Sequence, residues 1–393
     1  MQKLSSMHNK YSPELNLIML ILQDQLSNAK FMQLSPHICW DYLYTLTIRH
    51  RIIEQVYDKL INIPHIPTNF MAKLKQSNHQ IKLSLLNMHG EIIRITRILE
   101  QHDLPYIIVK GVPLAIEIYG GSDKRQCKDI DLWVTPDNLE KAQKLLIDAG
   151  YQQTLPSYQL NGYKKDYYLR HKHDLALFHT KRKVEIELHF RLEYFGIKFF
   201  RFDQVTTQQI ISNKCQIVTL QHDYHILYLM LHGAIHAWSR LRWLHDIYLY
   251  IMQDKCNFNL TRVYQLSLQL NCNHIVLQTL SLLDRVYNCR TPEINQLLSQ
   301  IDKRSLLLAQ NAHQFIVADY ELTGGHGIFN KMFFKYRQYL ARLAAKGQRH
   351  QAIFGDLFKI DRLFPYLNLP RGCEFGYYLL YPLWIIKYII TRK

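Results

Sequence analysis

Cysteine patterns and processing signals are missing from this chain. Its seven cysteines are scattered over 393 residues, with no Cys-x-x-Cys pair and no regular spacing. Such a set is typical of reduced thiols in a cytosolic protein. Residues 1–20 lack the basic start, the uninterrupted apolar stretch and the small-residue cleavage site of a secretory signal peptide. We therefore expect a cytoplasmic protein.

Long runs of one charge are also absent, although the chain is strongly basic. Its formal net charge is +16, and such an excess favours anionic partners: nucleotides, nucleic acid or acidic membrane surfaces. The longest basic clusters, at 181–183 and 391–393, are short. Diffuse basicity is weak support for a dedicated nucleic-acid groove, so nucleic acid is a less favoured partner.

No apolar run reaches the roughly 20 residues that a membrane-spanning helix needs. Residues 375–390 come nearest, but Pro382 and Lys387 interrupt them. This stretch predicts a packed helix. Its aromatic and basic residues also leave open a peripheral membrane contact through 375–393.

The pattern of apolar residues changes twice along the chain. Apolar residues recur at helical spacing over 14–100 and again from about 200 onward. Between them lie short β-branched or alternating runs, of which "DLALFHT" and "VEIELHF", joined by "KRK", predict a hairpin. We therefore predict an α+β fold, in which a small mixed sheet (101–195) is flanked by an N-terminal helical region (1–100) and a C-terminal one (196–393).

Two aspartates stand out in the strand "KDIDLWV". Side chains alternate along a strand, so Asp129 and Asp131 project the same way, and their repulsion calls for a cation between them. The later strand "VEIELHF" likewise places Glu185 and Glu187 on one face. Carboxylates from neighbouring strands suit Mg²⁺, with two ions expected for phosphoryl transfer and Mn²⁺ as an alternative. The competing interpretation is a solvated strand end without a metal.

Several motifs in order carry a family resemblance. They are "TIRHRIIEQVYDKL", "VKGVPLAIEIYG", "RQCKDIDLWV", "IELHF" and "HGAIHAWSRLRWLHDI". Over roughly 14–250 the chain resembles the nucleotidyltransferase superfamily that includes DNA polymerase β. Within that superfamily it is most similar to a family of uncharacterised bacterial nucleotidyltransferases.

The resemblance implies a set of site residues. Asp129, Asp131 and Glu187 would be the catalytic, metal-binding carboxylates, with Glu185 as the fallback for the third. Lys110 and Gly111 fall at the turn that holds the nucleotide phosphates. Arg125 would be a second phosphate contact; a solvated loop arginine is the alternative.

Two departures from the superfamily pattern bear on these roles. The turn reads Gly111-Val112-Pro113 instead of Gly-Gly or Gly-Ser, so no hydroxyl is available there and Lys110 would supply the positive charge. At position 187 the chain has Glu where superfamily members more often have Asp. A degenerate, inactive relative therefore stays open as an alternative.

Histidines and an arginine downstream are candidates for the substrate side of the cleft. His232, His236 and Arg240 stand four apart on a predicted helix and would share one face. No Glu follows His232, so the zinc motif His-Glu-x-x-His is absent. His189 lies on the strand face of Glu187. One of these histidines could act as a base toward an acceptor hydroxyl, or they could only cap and pack a helix.

The resulting hypothesis is a nucleotidyltransferase that moves a nucleoside monophosphate from an NTP to an unidentified acceptor and releases pyrophosphate. ATP is the expected NTP. The alternative is a degenerate regulator that binds nucleotide or protein without turnover, and either version is compatible with a membrane-peripheral location.

Overall fold

Helices form both flanks of the chain, and the strands lie between them. The computed structural model describes residues 11–194, 196–212, 215–253, 258–318, 331–344, 349 and 359–391. The α-helices before the last strand are α1 (Pro13–Leu22), α2 (Asn28–Leu34), α3 (Trp40–His50), α4 (Ile53–Leu60), α5 (Thr68–Gln101), α6 (Val112–Leu114), α7 (Leu139–Asp148) and α8 (Gly162–His171). Those after it are α9 (His222–Ile235), α10 (Leu241–Met252), α11 (Leu260–Gln269), α12 (Asn273–Tyr287), α13 (Pro292–Leu298), α14 (Lys303–Val317), α15 (Lys331–Leu343) and α16 (Gly376–Thr391).

The strands form one central sheet and two ribbons. They are β1 (Ile107–Ile108), β2 (Ile130–Trp133), β3 (Gln152–Leu155), β4 (Asp174–His179), β5 (Val184–His189), β6 (Glu193–Tyr194), β7 (Ile197–Lys198), β8 (Thr207–Ser212) and β9 (Cys215–Leu220). The central sheet has the order β1-β2-β5-β4-β3, and the pairs β6–β7 and β8–β9 form the ribbons. The fold is therefore α+β with a mixed sheet, as predicted.

The pairing of β2 with β5 determines which of their residues lie opposite each other. These strands run parallel, whereas β1–β2, β4–β5 and β3–β4 are antiparallel. The antiparallel β4–β5 pair confirms the predicted hairpin. In the parallel pair, Asp131 lies opposite Glu187 and Trp133 opposite His189.

Two large apolar clusters hold the sheet and the helices together. One lies on the sheet and includes Ile92 and Leu99 of α5 with Leu132 and Ile186 of the strands. The other runs through both helical flanks, from Leu17 on α1 to Leu343 on α15. Each fully buried aliphatic side chain contributes about 1.5–3 kcal/mol of transfer free energy. The N-terminal half of α5 belongs to the second cluster through Phe70 and Leu74, so this helix joins the two cores.

The helix α16 packs on the sheet-bearing part of the protein with one face. Tyr377 and Tyr381 are buried in a third, smaller cluster with Phe364 and with Tyr167 of α8. On the other face Leu379 and Leu383 are 65% and 63% exposed. Residues 392–393 lie outside the described residues. Among the described helices, none has both the length and the apolar character required to cross a membrane.

Candidate functional site

The parallel strands β2 and β5 bring the predicted acidic residues together. Asp131 on β2 is 1% exposed, and its partner in register is Glu187 on β5. Ile186 and Leu188, which flank Glu187, are buried in the sheet cluster, so the alternation of the strand directs Glu187 the opposite way. One ligand atom each of Asp131, Glu187 and His189 can be chosen so that all three lie within 4.8 Å of one another.

Two basic side chains neutralise these acids. The Lys110 ammonium forms a close ion pair with Asp131 Oδ2 and lies 3.8 Å from Asp129 Oδ1. His189 Nε2 lies 3.3 Å from Asp131 Oδ1 and 3.6 Å from Glu187 Oε2. Lys110 therefore links the two aspartates, and His189 links the two strands.

The pKa values follow from burial and from these ion pairs. Burial raises the pKa of Asp131, but the charge of Lys110 and the hydrogen bond from His189 outweigh burial and hold it well below the usual range. Burial raises the pKa of Glu187, and the charges of Asp131 and Asp129 add to the effect. Burial lowers the pKa of His189, but its bonds to Asp131 and Glu187 raise it to about 10. His189 is therefore an imidazolium at neutral pH.

The donor set is consistent with a divalent cation. Asp129, Asp131 and Glu187 supply carboxylate oxygens, which hard cations prefer. Asp131 Oδ2 is buried and accepts no hydrogen bond of good geometry, its contact with Lys110 being ionic. A cation at the aspartates would replace the charge that Lys110 now provides, so occupation requires this side chain to move.

A cavity of about 180 Å³ opens beside the acids. Its walls carry seven Lys and Arg side chains against three carboxylates, which suits a polyanion. The lining residues are Arg49, Arg51, Lys110, Gly111, Arg125, Cys127, Lys128, Asp129, Asp131, Glu187, His232, His236, Ser239, Arg240, Arg242, Trp243 and Tyr336. All the predicted site residues except His189 and the fallback Glu185 are among them.

Arg125 lines this cavity, but its guanidinium is already paired. Its Nε and Nη2 donate to the two oxygens of Asp246 on α10, over 2.9 and 2.7 Å. Tyr119 donates a further hydrogen bond of 2.7 Å to the same carboxylate. Arg242 stands four residues before Asp246 on the same helix but forms no ion pair with it among the described residues, and both carboxylate oxygens bind Arg125.

The helix predicted to carry His232, His236 and Arg240 does not continue through all three. The helix α9 ends at Ile235, and Ala237 and Trp238 turn the chain with φ of 50° and 54°. Arg240 is the N-cap residue of α10, so the shared helical face was wrong for this residue. The turn nevertheless keeps all three residues on the cavity wall.

His232 and His236 lie in surroundings that disfavour the positively charged imidazolium form. Burial, followed by the charge of Lys110, lowers the pKa of His236 to about 4. Burial and the neighbouring His236 lower the pKa of His232 well below its usual range. The His236 ring stacks on Trp243 with centroids 4.8 Å apart. Both imidazoles are neutral hydrogen-bonding groups in this state.

Sequence reasoning missed the basic residues that come from the helical flanks. Arg49 and Arg51 lie at the end of α3, and Arg242 on α10, yet all three line the cavity. The motif "SRLRWLHD" contained a signal, since its two arginines flank a helix start, but only the folded chain aligns them with the acids.

The site is thus an acidic cluster on two strands that faces a basic cavity, in a mixed sheet between helical flanks. Residues 36–288 match the family described as "Uncharacterised nucleotidyltransferase". This match covers more than half of the chain, and the protein therefore belongs to that family.

No curated protein matches the sequence. Among solved structures, the chain is similar to an antigenic nucleotidyltransferase-like protein from Paracoccidioides brasiliensis, with 14% identity and a TM-score of 0.31. The similarity covers 55% of this chain and 93% of the other. At that score the resemblance adds nothing to the family assignment.

Proposed function

We propose that the protein transfers a nucleoside monophosphate from an NTP, with ATP as the first candidate, to an acceptor hydroxyl. The acceptor oxygen forms a bond to the α-phosphorus, the bond from that phosphorus to the β-bridging oxygen breaks, and pyrophosphate leaves with its electron pair. The acceptor proton passes to solvent. The observation that carries this proposal is the alignment of Asp131 with Glu187 across parallel strands, beside a basic cavity.

The carboxylates would bind the metal ion. Asp129, Asp131 and Glu187 would hold Mg²⁺ or Mn²⁺, and the register of β2 and β5 places Asp131 opposite Glu187. When bound, such a cation lowers the pKa of a coordinated hydroxyl and offsets charge on the leaving group. His189 keeps Asp131 and Glu187 oriented through its ring nitrogen.

The basic residues would bind the triphosphate. Lys110 and Gly111 would hold the triphosphate, with the Lys110 ammonium turning from the aspartates to phosphate oxygens. Gly111 has φ of 86°, a conformation that a side chain would strain, and it keeps the backbone open to the cavity. His232 and His236 would donate hydrogen bonds to the acceptor substrate or accept hydrogen bonds from it. A base needs a pKa near the working pH, which these two lack.

Replacing Glu187 by Gln tests the catalytic assignment. The side chain is partly exposed, so the variant should keep the melting temperature of the wild type while losing label transfer from α-³²P-NTP by about 100-fold or more. Asp131→Asn should also abolish transfer, but it leaves Lys110 without its closest counterion and should lower stability as well. The assay uses Mg²⁺ and Mn²⁺ with each of the four NTPs.

Glu185→Gln is the matched comparison. Glu185 lies two residues earlier on β5 and pairs with Lys128 at 3.0 Å. We expect this variant to retain transfer. Loss of transfer in Glu185→Gln but not in Glu187→Gln would move the third ligand to position 185. Absence of transfer in the wild type with every NTP and both metals would refute the proposal.

A non-catalytic nucleotide-binding protein is the second candidate, and the position of Lys110 favours it. The ammonium contacts both aspartates, which is the place a cation would take. Calorimetry distinguishes the two functions. Binding of a non-hydrolysable NTP without turnover of the natural NTP supports a regulator, whereas binding with release of pyrophosphate supports the transferase.

We also propose a peripheral contact of α16 with anionic lipid. Its exposed face carries Leu379 and Leu383, and the basic chain attracts an acidic surface. Leu379→Ser/Leu383→Ser should reduce sedimentation with vesicles that contain phosphatidylglycerol. Leu83→Ser/Leu86→Ser, on the exposed side of α5, should not. Equal sedimentation of all variants, or a dimer by light scattering that the first pair abolishes, would overturn lipid contact.

A further inference from the structure

Arg242 is a buried cation on the helical wall of the cavity. It lies in the first turn of α10, is 6% exposed and lines the cavity. Its Nε and Nη1 atoms are buried and have no hydrogen-bond partner among the described residues. An arginine keeps its charge under nearly all conditions, so this guanidinium needs oxygen acceptors that the described chain does not provide.

Asp246, the carboxylate nearest to Arg242 along the helix, is already paired with Arg125. Asp246 lies one helical turn further on, at the spacing at which an ion pair forms on a helix surface. Both of its oxygens, however, accept hydrogen bonds from Arg125, and one of them also accepts from Tyr119. Three hydrogen bonds thus go to this carboxylate and none of them comes from Arg242, which lines the cavity instead.

The surroundings of Arg242 add positive charge instead of removing it. Burial lowers the pKa of Arg242, and the charges of Arg125 and Arg51 lower it further, against a smaller opposite effect of Asp246. Arg240 lies two residues earlier on the same wall, with its guanidinium carbon 5.5 Å from the centre of the Trp243 ring. Such a cluster is stabilised when an anion from solution enters it.

We propose that Arg242, with Arg240 and Arg51 around it, forms a binding site for a phosphate-type oxyanion on the helical side of the cavity. The inference rests on the proposed function and extends it to a second anion-binding position, separate from Lys110 and Gly111 on the strand side. Two sources share this chemistry: the terminal phosphate of the NTP, and an anionic group carried by the acceptor.

Titration with inorganic phosphate tests the site directly. The full chain is used in EDTA without nucleotide, and binding is followed by calorimetry and by Trp fluorescence, since Trp243 lines the cavity. We expect phosphate to bind the wild type and to bind Arg242→Met about tenfold more weakly, a difference of about 1.4 kcal/mol. Arg290→Met is the control, because Arg290 is exposed and pairs with Asp284 away from the cavity. It should bind phosphate like the wild type.

Stability measurements separate a ligand site from a structural role. Replacing an unpaired buried charge by an apolar side chain is neutral or stabilising, so Arg242→Met should melt at or above the wild-type temperature. At the same concentration, phosphate should raise the melting temperature of the wild type more than that of this variant. If Arg242→Met does not fold, Arg242→Lys replaces it. That variant keeps the charge, loses the forked donor geometry and should bind phosphate more weakly than the wild type.

The two sources of the anion are distinguished with nucleotide present. If the NTP supplies the oxyanion, a saturating non-hydrolysable NTP with Mg²⁺ will block phosphate, and Arg242→Met will weaken binding of triphosphate but not of monophosphate. If the acceptor supplies it, phosphate will still bind to the nucleotide-loaded protein and the affinity for NTP will be unchanged.

Equal phosphate binding by the wild type and the foldable Arg242 variants would overturn the site, as would no binding by the wild type. A failure of nucleotidyl transfer would leave this result untouched, because the titration contains neither metal nor nucleotide.

Discussion

The ion pair between Arg125 and Asp246 should be one of the strongest single connections in the protein. Arg125 belongs to the loop before β2, and Asp246 to α10 in the C-terminal flank. Both side chains are almost fully buried, and two parallel hydrogen bonds join them. Removing one partner leaves an uncompensated charge in the interior, which costs about 3–5 kcal/mol.

A double-mutant cycle measures the coupling. We expect Arg125→Met and Asp246→Asn each to lower the free energy of unfolding by about 3–5 kcal/mol. The amide oxygen of the second variant can still accept the Tyr119 hydrogen bond, so no further loss is added for Tyr119. The double variant contains neither buried charge, so its loss should fall below the sum of the single losses by about 2–3 kcal/mol, within the range found for residues in contact.

Urea denaturation followed by circular dichroism gives these energies, and the slope of the transition shows whether the same surface is exposed in each variant. Additive losses, with a coupling below about 0.5 kcal/mol, would refute the reasoning. So would an Arg125→Met variant of wild-type stability that has lost only its affinity for NTP. That result would return Arg125 to the phosphate-binding role predicted from its sequence position.

Three further perturbations have defined outcomes. A methyl group on Gly233 would lie 2.4 Å from the buried Trp238 ring, so Gly233→Ala should lower the free energy of unfolding by about 1–3 kcal/mol in urea; wild-type stability would contradict the packing. Burial lowers the pKa of His274 to about 4, so the neutral imidazole stabilises the fold above pH 6.5 and this stability is lost toward pH 4. Between pH 7 and 5 the free energy of unfolding of the wild type should fall by about 2 kcal/mol more than that of His274→Gln. Parallel pH profiles of the two proteins would contradict this. Lys110→Met removes the ammonium from the two aspartates and should tighten Mn²⁺ binding roughly tenfold in calorimetry. Weaker binding would refute the idea that Lys110 and the metal ion compete for the aspartates.

Local patterns in the sequence predicted the parts of the fold that neighbouring residues decide. The hairpin of β4 and β5 follows from alternating side chains and a short basic turn. The same alternation placed Asp131 with Asp129 and Glu187 with Glu185. The identity of the third carboxylate in the cluster could be proposed because the family pattern marks position 187.

Contacts between distant segments could not be predicted in this way. Periodicity does not specify that β2 pairs with β5 in parallel, because this register depends on packing of both sheet faces. The turn at Ala237 and Trp238 has left-handed backbone angles without a glycine to announce it. The partner of Asp246 was missed for the same reason, since Arg125 is 121 residues away in the chain.

The contact between α8 and the segment that precedes α16 has a consequence for biosynthesis. Lys164 donates a hydrogen bond to the carbonyl of Phe364, 200 residues later, and Tyr167 is covered by the same segment. At ribosomal speeds of about 5–20 residues per second, that cover arrives about 10 to 40 s after α8 has been made. During this interval the aromatic surface of the nascent protein is exposed to chaperones and proteases. A transcript broken before codon 360 would yield a chain in which this surface stays exposed.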